Sequence, residues 1–294
     1  MSKRLDKLFN SSTILNIDDN SKIVIMSDCH RGIGNNHDNF LKNENIYNAA
    51  LNHYYKNGFT YIELGDGDDM WEIKNFNDII NEHIDSFKII KKFFDNDRLI
   101  MIYGNHDICK RSKDVLKNTF YNYYDKETKK TKELLNDLKV YESLILNYDN
   151  YDIFMIHGHQ VDLMNDKFWK VNRFLVRHLW RHLENFGIKD PTSAAKNYKI
   201  SKKVDKKLEK WSKDNNKMLI AGHTHRPLFP KKNQSLYFND GSCIHPNGIS
   251  CLEIENGSIT LVKWKYSIKD EKFITVKRVI LEGNEKIKTF FDKY

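Results

Sequence analysis

Short apolar runs recur along this chain, and five of them end alike. Ile23-Val24-Ile25-Met26 gives way to Ser27-Asp28-Cys29-His30, and Phe59 to Leu64 gives way to Gly65-Asp66-Gly67-Asp68-Asp69. Leu99-Ile100-Met101-Ile102-Tyr103 ends in Gly104-Asn105-His106-Asp107, Ile153 to Ile156 in His157-Gly158-His159, and Met218 to Ala221 in Gly222-His223-Thr224-His225. Such runs, apolar at every position, fit strands covered on both faces. Between the first three lie segments with helical spacing, Asn39 to Lys56 and Asn77 to Phe94. The front half therefore reads βαβαβ and predicts a parallel sheet, with the polar clusters gathered at the carboxyl ends where such sheets bind ligands.

The pattern changes past His225. Leu236 to Phe238, Ile249 to Ile254, Ile259 to Trp264 and Phe273 to Ile280 are strand-like, and Asn256-Gly257 is a strong hairpin turn. Val140 to Leu146 and Tyr151 to Ile156 predict another strand pair joined through Asp149-Asn150. The expectation is two sheets face to face with helices outside. No repeat or low-complexity linker divides residues 1–294, so a single domain is expected.

Composition narrows the class. With 40% hydrophobic and 13% aromatic residues among 294, the chain is an ordinary globular one, not a disordered one. Its first residues lack the apolar core of a signal peptide and no run reaches membrane-spanning length, so a cytoplasmic location is expected. Cys29, Cys109, Cys243 and Cys251 have neither CxxC spacing nor the density of a disulfide scaffold, so free thiols are expected. The net charge of +8 is concentrated: Asp162 to Asp214 holds 14 Lys and Arg against 7 Asp and Glu.

The polar clusters pool Asp28, His30, Asp66, Asn105, His157, His223 and His225. Mixed oxygen and nitrogen donors suit Mn²⁺, Fe or Zn²⁺ better than Ca²⁺, and the scarcity of cysteine argues against a structural zinc site. Seven donors exceed what one tetrahedral ion uses, so two ions are expected. Of only 13 glycines, Gly65, Gly67, Gly104, Gly158 and Gly222 fall in these clusters, as tight turns beside ligands require.

These residues resemble the calcineurin-like metallophosphoesterases. Asp28 and His30 match that superfamily's DxH, Asp66 with Asp69 its GDxxD, Asn105, His106 and Asp107 its GNHD, His157 its His-Gly pair, and His223 with His225 its GHxH, all in order. The resemblance implies a four-layer α/β/β/α sandwich, two mixed sheets flanked by helices, built around a dinuclear centre. Asp28, His30 and His225 would hold one metal and Asn105, His157 and His223 the other, with Asp66 bridging. It implies a phosphoester hydrolase, phosphatase or phosphodiesterase, in which a metal-bridging hydroxide attacks phosphorus in line and His106 protonates the leaving oxygen; Asp107 would orient His106 and raise its pKa. Two unit charges 4 Å apart interact by about 4 kcal/mol at an effective dielectric of 20, and two divalent ions repel by roughly four times that, so a bridging anion is needed. Mn²⁺ is the expected metal, with Fe or Zn²⁺ as alternatives. GDGDDMW also resembles the GDxxDxW stretch of UDP-2,3-diacylglucosamine hydrolases, a branch that usually carries Arg where this chain has His106.

Other residues are weighed against blander roles. Cys29 should turn away from the metals by strand alternation, Asp68 and Asp69 should support the ligands or cap a helix, and His159 should hydrogen-bond behind His157. His37, His53, His83, His178, His182 and His245 read as ordinary surface or core residues. Arg31 is a candidate phosphate contact, set against an ordinary surface role. Residues 162–214 read as a basic helical insertion in which Lys170, Arg173, Arg177 and Arg181 share a stripe beside Phe168, Val171, Leu175 and Leu179. Arg173, Arg177 and Arg181 would cap the site and select an anionic substrate, against a solvated helical face. Competing functions are a nuclease or cyclic-nucleotide phosphodiesterase, given the basic segment, and a non-catalytic metal-binding scaffold. Loss of His106 or of ligands would be expected in a scaffold, and none is lost. The partner implied is a phosphate-ester substrate, with nucleic acid the less favoured alternative; neither a membrane span nor a partner protein is implied.

Overall fold

The computed structural model describes residues 2–166, 168–176, 197–231, 234–269 and 273–292. Its strands in chain order are β1 (Thr13–Ile17), β2 (Lys22–Met26), β3 (Thr60–Leu64), β4 (Leu99–Ile102), β5 (Asn122–Asp125), β6 (Lys130–Glu133) and β7 (Val140–Tyr141), followed by β8 (Ser143–Tyr148), β9 (Tyr151–Ile156), β10 (Met218–Ala221), β11 (Tyr237–Asn239), β12 (Ile249–Glu255), β13 (Ser258–Lys269) and β14 (Phe273–Lys286). Among the described residues, seven strands form a mixed sheet in the order β14-β13-β12-β2-β3-β4-β7, and five form a second in the order β1-β8-β9-β10-β11.

Strand alternation sorts the apolar side chains into three layers. Ile23, Ile25, Ile62 and Leu64 point between the sheets, where they meet Leu144, Leu146, Ile153, Met155 and Ile220. Val24, Met26, Tyr61 and Met101 point outward under helices Glu44–Lys56 and Ile84–Phe94, against Tyr47, Leu51, Phe87 and Ile90. On the far side, Ile145, Phe154, Ile156 and Leu219 pack under Leu5 and Leu8 of helix Ser2–Ser11 and Val204, Leu208 and Trp211 of helix Tyr198–Asn215. Helix, sheet, sheet and helix stack in that order, the architecture the apolar runs imply.

β2, β3 and β4 run parallel side by side in the larger sheet, and β9 and β10 run parallel in the smaller one. All five apolar runs thus have a common polarity within their sheets. The β12–β13 hairpin turns at Asn256 and Gly257, both at positive φ (52° and 63°), as a two-residue primed turn requires. One expectation is corrected. The run Val140 to Leu146 is not one strand: β7 joins the larger sheet beside β4, the chain crosses at Glu142, and β8 pairs with β9 in the smaller. Both halves are apolar, so nothing in the run marks the crossing.

Candidate metal centre

The polar sequel to each strand has to turn sharply to leave the sheet, and here the turning residues are the donors themselves. Asp28, His30, Asp66, His223 and His225 all have left-handed backbone, with φ between 49° and 66°. That region is uncommon for non-glycine residues, and such strain persists where the surroundings over-determine it. The glycines permit close approach: a Cβ on Gly104 would lie 2.1 Å from Asp66 Oδ1 and one on Gly222 would lie 2.3 Å from Ser27 Oγ.

The turns bring two donor groups together. Asp28, His30 and His225 form one and Asp66, His157 and His223 the other, with donor atoms of each group within 4.8 Å of one another. His30 Nε2 and His225 Nε2 face each other at 3.4 Å, and His225 Nε2 lies 3.0 Å from Asp28 Oδ1. Asp66 Oδ1 accepts the backbone N–H of His106 at 2.8 Å, leaving Oδ2 at 3.2 Å from His157 Nε2 and 3.8 Å from His30 Nε2. Asn105 Oδ1 and His223 Nε2 are buried without a hydrogen-bond partner in the described structure.

The electrostatics say what is wanted here. His157 Nδ1 donates to the carbonyl of Leu64 at 2.8 Å, so Nε2 aims a lone pair at the Asp66 carboxylate. That contact is favourable only with a proton or a cation in it. Burial lowers the His157 pKa, but Asp66 and Asp28 outweigh it and push it up to about 10. Burial likewise opposes ionisation of Asp28, yet His225 and His157 hold it well below the usual carboxylate range. Two buried carboxylates facing imidazole and amide donors make a site that demands positive charge, from a proton or a metal ion. The donor set fits divalent transition-metal ions.

A sequence profile described as the calcineurin-like phosphoesterase superfamily domain matches residues 22–257. This chain belongs to that superfamily. Membership makes the protein a metal-dependent phosphoester hydrolase, since the matched span carries the whole donor set. No curated protein matches the chain. Among solved structures, a conserved protein of Streptococcus pneumoniae TIGR4, described as a predicted phosphoesterase, is 14% identical, with 88% of this chain and 97% of that one covered and a TM-score of 0.36. A single mutant of Vps29 from Entamoeba histolytica is 13% identical, covering 89% and 99%, at 0.40. A cold-active protein-tyrosine phosphatase of a psychrophilic Shewanella species is 14% identical, covering 92% and 83%, also at 0.40.

Several side chains of the phosphoesterase lie elsewhere than expected. His106 takes its carboxylate from Asp69, at 3.1 Å from Nδ1, and not from Asp107. Trp71 stacks on the His106 ring, 4.4 Å between centroids and 19° between planes. Burial lowers the His106 pKa, but Asp66 and Asp69 carry it up to about 9. Asp107 is turned away because backbone donors claim it: Gly104 N–H at 2.7 Å and Gly67 N–H at 3.1 Å, besides Lys110 Nζ at 2.7 Å. Arg31 is fully buried and pairs with Asp68 and Glu63, so it presents no surface to a substrate. His159 does not hydrogen-bond behind His157; both its nitrogens are buried without partners, 5.6 Å from that ring between centroids. Cys29 lies in the core, as alternation predicts.

Sequence reasoning missed Asp240. Ser27 Oγ lies 2.5 Å from Asp28 Oδ2 and 2.8 Å from Asp240 Oδ1. One hydroxyl carries one proton, so one of the two acids must be protonated. Burial and the Asp28 charge push Asp240 well above the carboxylate range, which places the proton there. Asp240 thus donates to Ser27, and Ser27 donates to Asp28. The signal was present: Leu236-Tyr237-Phe238 is a sixth apolar run, ending in Asn239-Asp240-Gly241-Ser242.

In the basic segment, Arg173 packs 5.0 Å from the Trp169 ring, with Arg111 at 5.5 Å. Arg177 and Arg181 lie outside the described residues. Of the expected apolar stripe, Phe168 and Val171 are more than half exposed and Leu175 is partly buried, Leu179 lies outside the described residues, and Asn172 and Val176 are the buried positions. Asn172 turns inward to donate to Asn165 Oδ1 at 2.9 Å, which rotates the helix away from the apolar register.

Proposed function

We propose that the protein is a dinuclear phosphoesterase, a phosphatase or phosphodiesterase. Asp28, His30 and His225 would hold one divalent ion and Asn105, His157 and His223 the other, with Asp66 shared between them. The observation that carries this reading is the convergence of six of these donors in two groups whose atoms lie within 4.8 Å of one another, with Asp66 Oδ2 3.2 Å from His157 Nε2 and 3.8 Å from His30 Nε2. Mn²⁺ suits the donors best. Bound there, the ions supply Lewis-acid polarisation of the phosphoryl oxygens and a water of lowered pKa.

The chain's own groups do the rest. His106, backed by Asp69 and flattened against Trp71, holds a proton at Nε2 for the departing oxygen. Its backbone N–H fixes Asp66 Oδ1, so ligand and acid are placed by one turn. Asp240 and Ser27 hold Asp28 through Oδ2, leaving Oδ1 turned toward His225 Nε2. Residues 162–214 are read as a cap over the same single domain, with Arg173, Arg177 and Arg181 toward the substrate. Four free thiols suit the reducing cytoplasm.

The test is hydrolysis of a panel of phosphomonoesters, phosphodiesters, nucleotides and phosphopeptides with Mn²⁺ added, beside metal analysis. Wild type should bind close to two ions per chain and turn over at least one class; His106→Asn should keep the metal and lose about 10²–10⁴ in kcat, the worth of a general acid. Metal-replete wild type inert on every class, or His106→Asn as fast as wild type, would overturn the reading.

A further inference from the structure

Helix Tyr198–Asn215 carries six lysines against two acids between Tyr198 and Lys210. Its inward face is fixed by Val204, Leu208 and Trp211 in the core. Asp205 is also spent inward, accepting from Thr224 Oγ1 and Tyr237 Oη, both at 2.9 Å. The outward face is then almost purely cationic, a groove lined by Tyr198, Lys199, Lys202, Lys203, Lys206 and others of this helix.

Two of these lysines are already engaged. Lys207 donates to the Val161 carbonyl at 2.8 Å, and Lys210 pairs with Asp214 at 2.8 Å. Lys199, Lys202, Lys203 and Lys206 are exposed and have no carboxylate partner among the described residues. Lys199 and Lys203, Lys202 and Lys206, Lys203 and Lys207, and Lys206 and Lys210 are like-charge pairs four residues apart, each of which costs helix stability. A helix that keeps four such repulsions on one face is complementary to an extended polyanion.

The near end of the face is tied to the loop that carries His223 and His225. Thr224, which Asp205 grips, stands between His223 and His225. Arg226, the next residue, lies 4.6 Å from the ring of Tyr198, and Lys202 lies 5.8 Å from the same ring. Tyr198 is 62% exposed. From Lys199 to Lys210 the stripe runs about 16 Å at the helical rise. Cations in line and an exposed aromatic at the near end, joined through Arg226 to the loop of His223 and His225, match the way single strands are held: phosphates on lysines, a base on a ring.

We infer that this lysine face is a track for single-stranded nucleic acid, which leads the strand's phosphodiesters to the metal centre. The inference rests on the dinuclear reading for what happens to the strand, but not for its binding. Phosphates flanking the scissile one pair with Lys199, Lys202, Lys203 and Lys206, and a base stacks on Tyr198.

The experiment measures anisotropy of a fluorescein-labelled 20-nucleotide single strand titrated with the full chain, with and without Mn²⁺, across a salt series. Compared with it is K199A/K202A/K203A/K206A, whose changes are all exposed. Wild-type affinity should fall steeply with salt, and the variant should bind at least tenfold more weakly with the slope of log K against log salt reduced by about 3, at roughly 0.7 per phosphate contact. Hydrolysis of bis(p-nitrophenyl) phosphate by the variant should stay at wild-type rate. A variant that binds like wild type, or a wild type that binds inorganic polyphosphate through these lysines but not the strand, would overturn the track. Lysine-dependent strand binding with no hydrolysis of any ester would leave the track standing and remove the dinuclear reading; ester hydrolysis without strand binding would do the reverse.

Discussion

Two clusters of buried carboxylates share the loop after β3, and they are neutralised in opposite ways. At the rear, Glu63, Asp68 and Asp107 have oxygens within 4.8 Å of one another, as close as the donors of the metal centre. Lys110 reaches all three, at 3.6, 2.7 and 2.7 Å, and Arg31 binds Asp68 at 2.7 Å and Glu63 at 2.8 Å. Despite burial, Arg31 and Lys110 hold Asp68 down to about 2. At the front, Asp28 and Asp66 pair with no lysine or arginine among the described residues; their neighbours are imidazole nitrogens, His225 Nε2 at 3.0 Å and His157 Nε2 at 3.2 Å. Acid density alone therefore does not make a metal site. What separates the two is whether the chain has supplied its own cations.

The sharpest way to break that contrast is to remove one charge from each side. Lys110→Met leaves three buried carboxylates to one arginine and should cost about 3–5 kcal/mol of stability. Activity per folded molecule should change little. Asp66→Asn should do the opposite: stability should move by about 1 kcal/mol, the scale of one hydrogen bond. Hydrolysis should fall by on the order of 10³ or more, since one preorganised electrostatic group is worth about 10²–10³. Urea unfolding read beside initial rates separates the two. Equal losses of activity per folded molecule would mean that the rear cluster belongs to the reacting centre after all.

A third acid pair sharpens the comparison, because its cation titrates. His83 is fully buried, with Nε2 2.8 Å from Asp38 Oδ2 and Nδ1 3.1 Å from Glu44 Oε1. Asp38 also accepts Gly34 N–H at 2.9 Å, so this histidine clips the loop after His30 to the helices. Burial opposes the charge, but Asp38 and Glu44 raise the His83 pKa to about 9. The folded value lies above the unfolded one. The clip's stabilisation is therefore fully present below about pH 6.5 and is lost as pH rises through about 9, and it amounts to about 3 kcal/mol at 1.36 kcal/mol per unit. The stability difference between wild type and His83→Gln should be constant from pH 5 to 6.5 and shrink steadily to pH 9. A difference independent of pH would show that His83 is held neutral.

The sequence made one end of the sheets legible and left its surroundings obscure, for physical reasons. β2, β3, β4, β9 and β10 are covered on both faces, so each is a continuous apolar run, and its donors follow at once. β1 is a half-exposed edge strand and β6 is exposed throughout, while β5 alternates over only four residues, Asn122 to Asp125, too few and too polar to read as a period. The ordered motifs brought the seven donors onto one list, and the structure brings six of them into two groups, with Asn105 Oδ1 buried beside the loop of His106. Partnerships were harder to read. Asp107 neighbours His106 in sequence, but backbone amides compete for its oxygens; Asp69 is 37 positions away and wins by geometry. Arg31 looked like a surface cation because nothing local announces that Glu63 and Asp68 will close around it.

That competition for His106 yields the smallest of the expected effects and the finest separation of front from rear. Asp69→Asn keeps an oxygen that can accept from His106 Nδ1 but removes the charge that stabilises the protonated ring. The ring also retains its stack on Trp71, which for a cation on an aromatic is worth about 0.5–2 kcal/mol. Position and part of the electrostatics thus survive, so kcat should fall only about tenfold, within the 10–100-fold range for partners that orient a functional imidazole, with KM unchanged. Asp107→Asn keeps acceptors for Gly104 and Gly67 but leaves Lys110 one carboxylate short, so its cost should appear in urea unfolding and leave kcat within about twofold. If the two substitutions exchange these signatures, with Asp107→Asn slowing turnover and Asp69→Asn only weakening the fold, then His106 answers to its neighbour in sequence during catalysis and the division between the two carboxylate clusters is wrong.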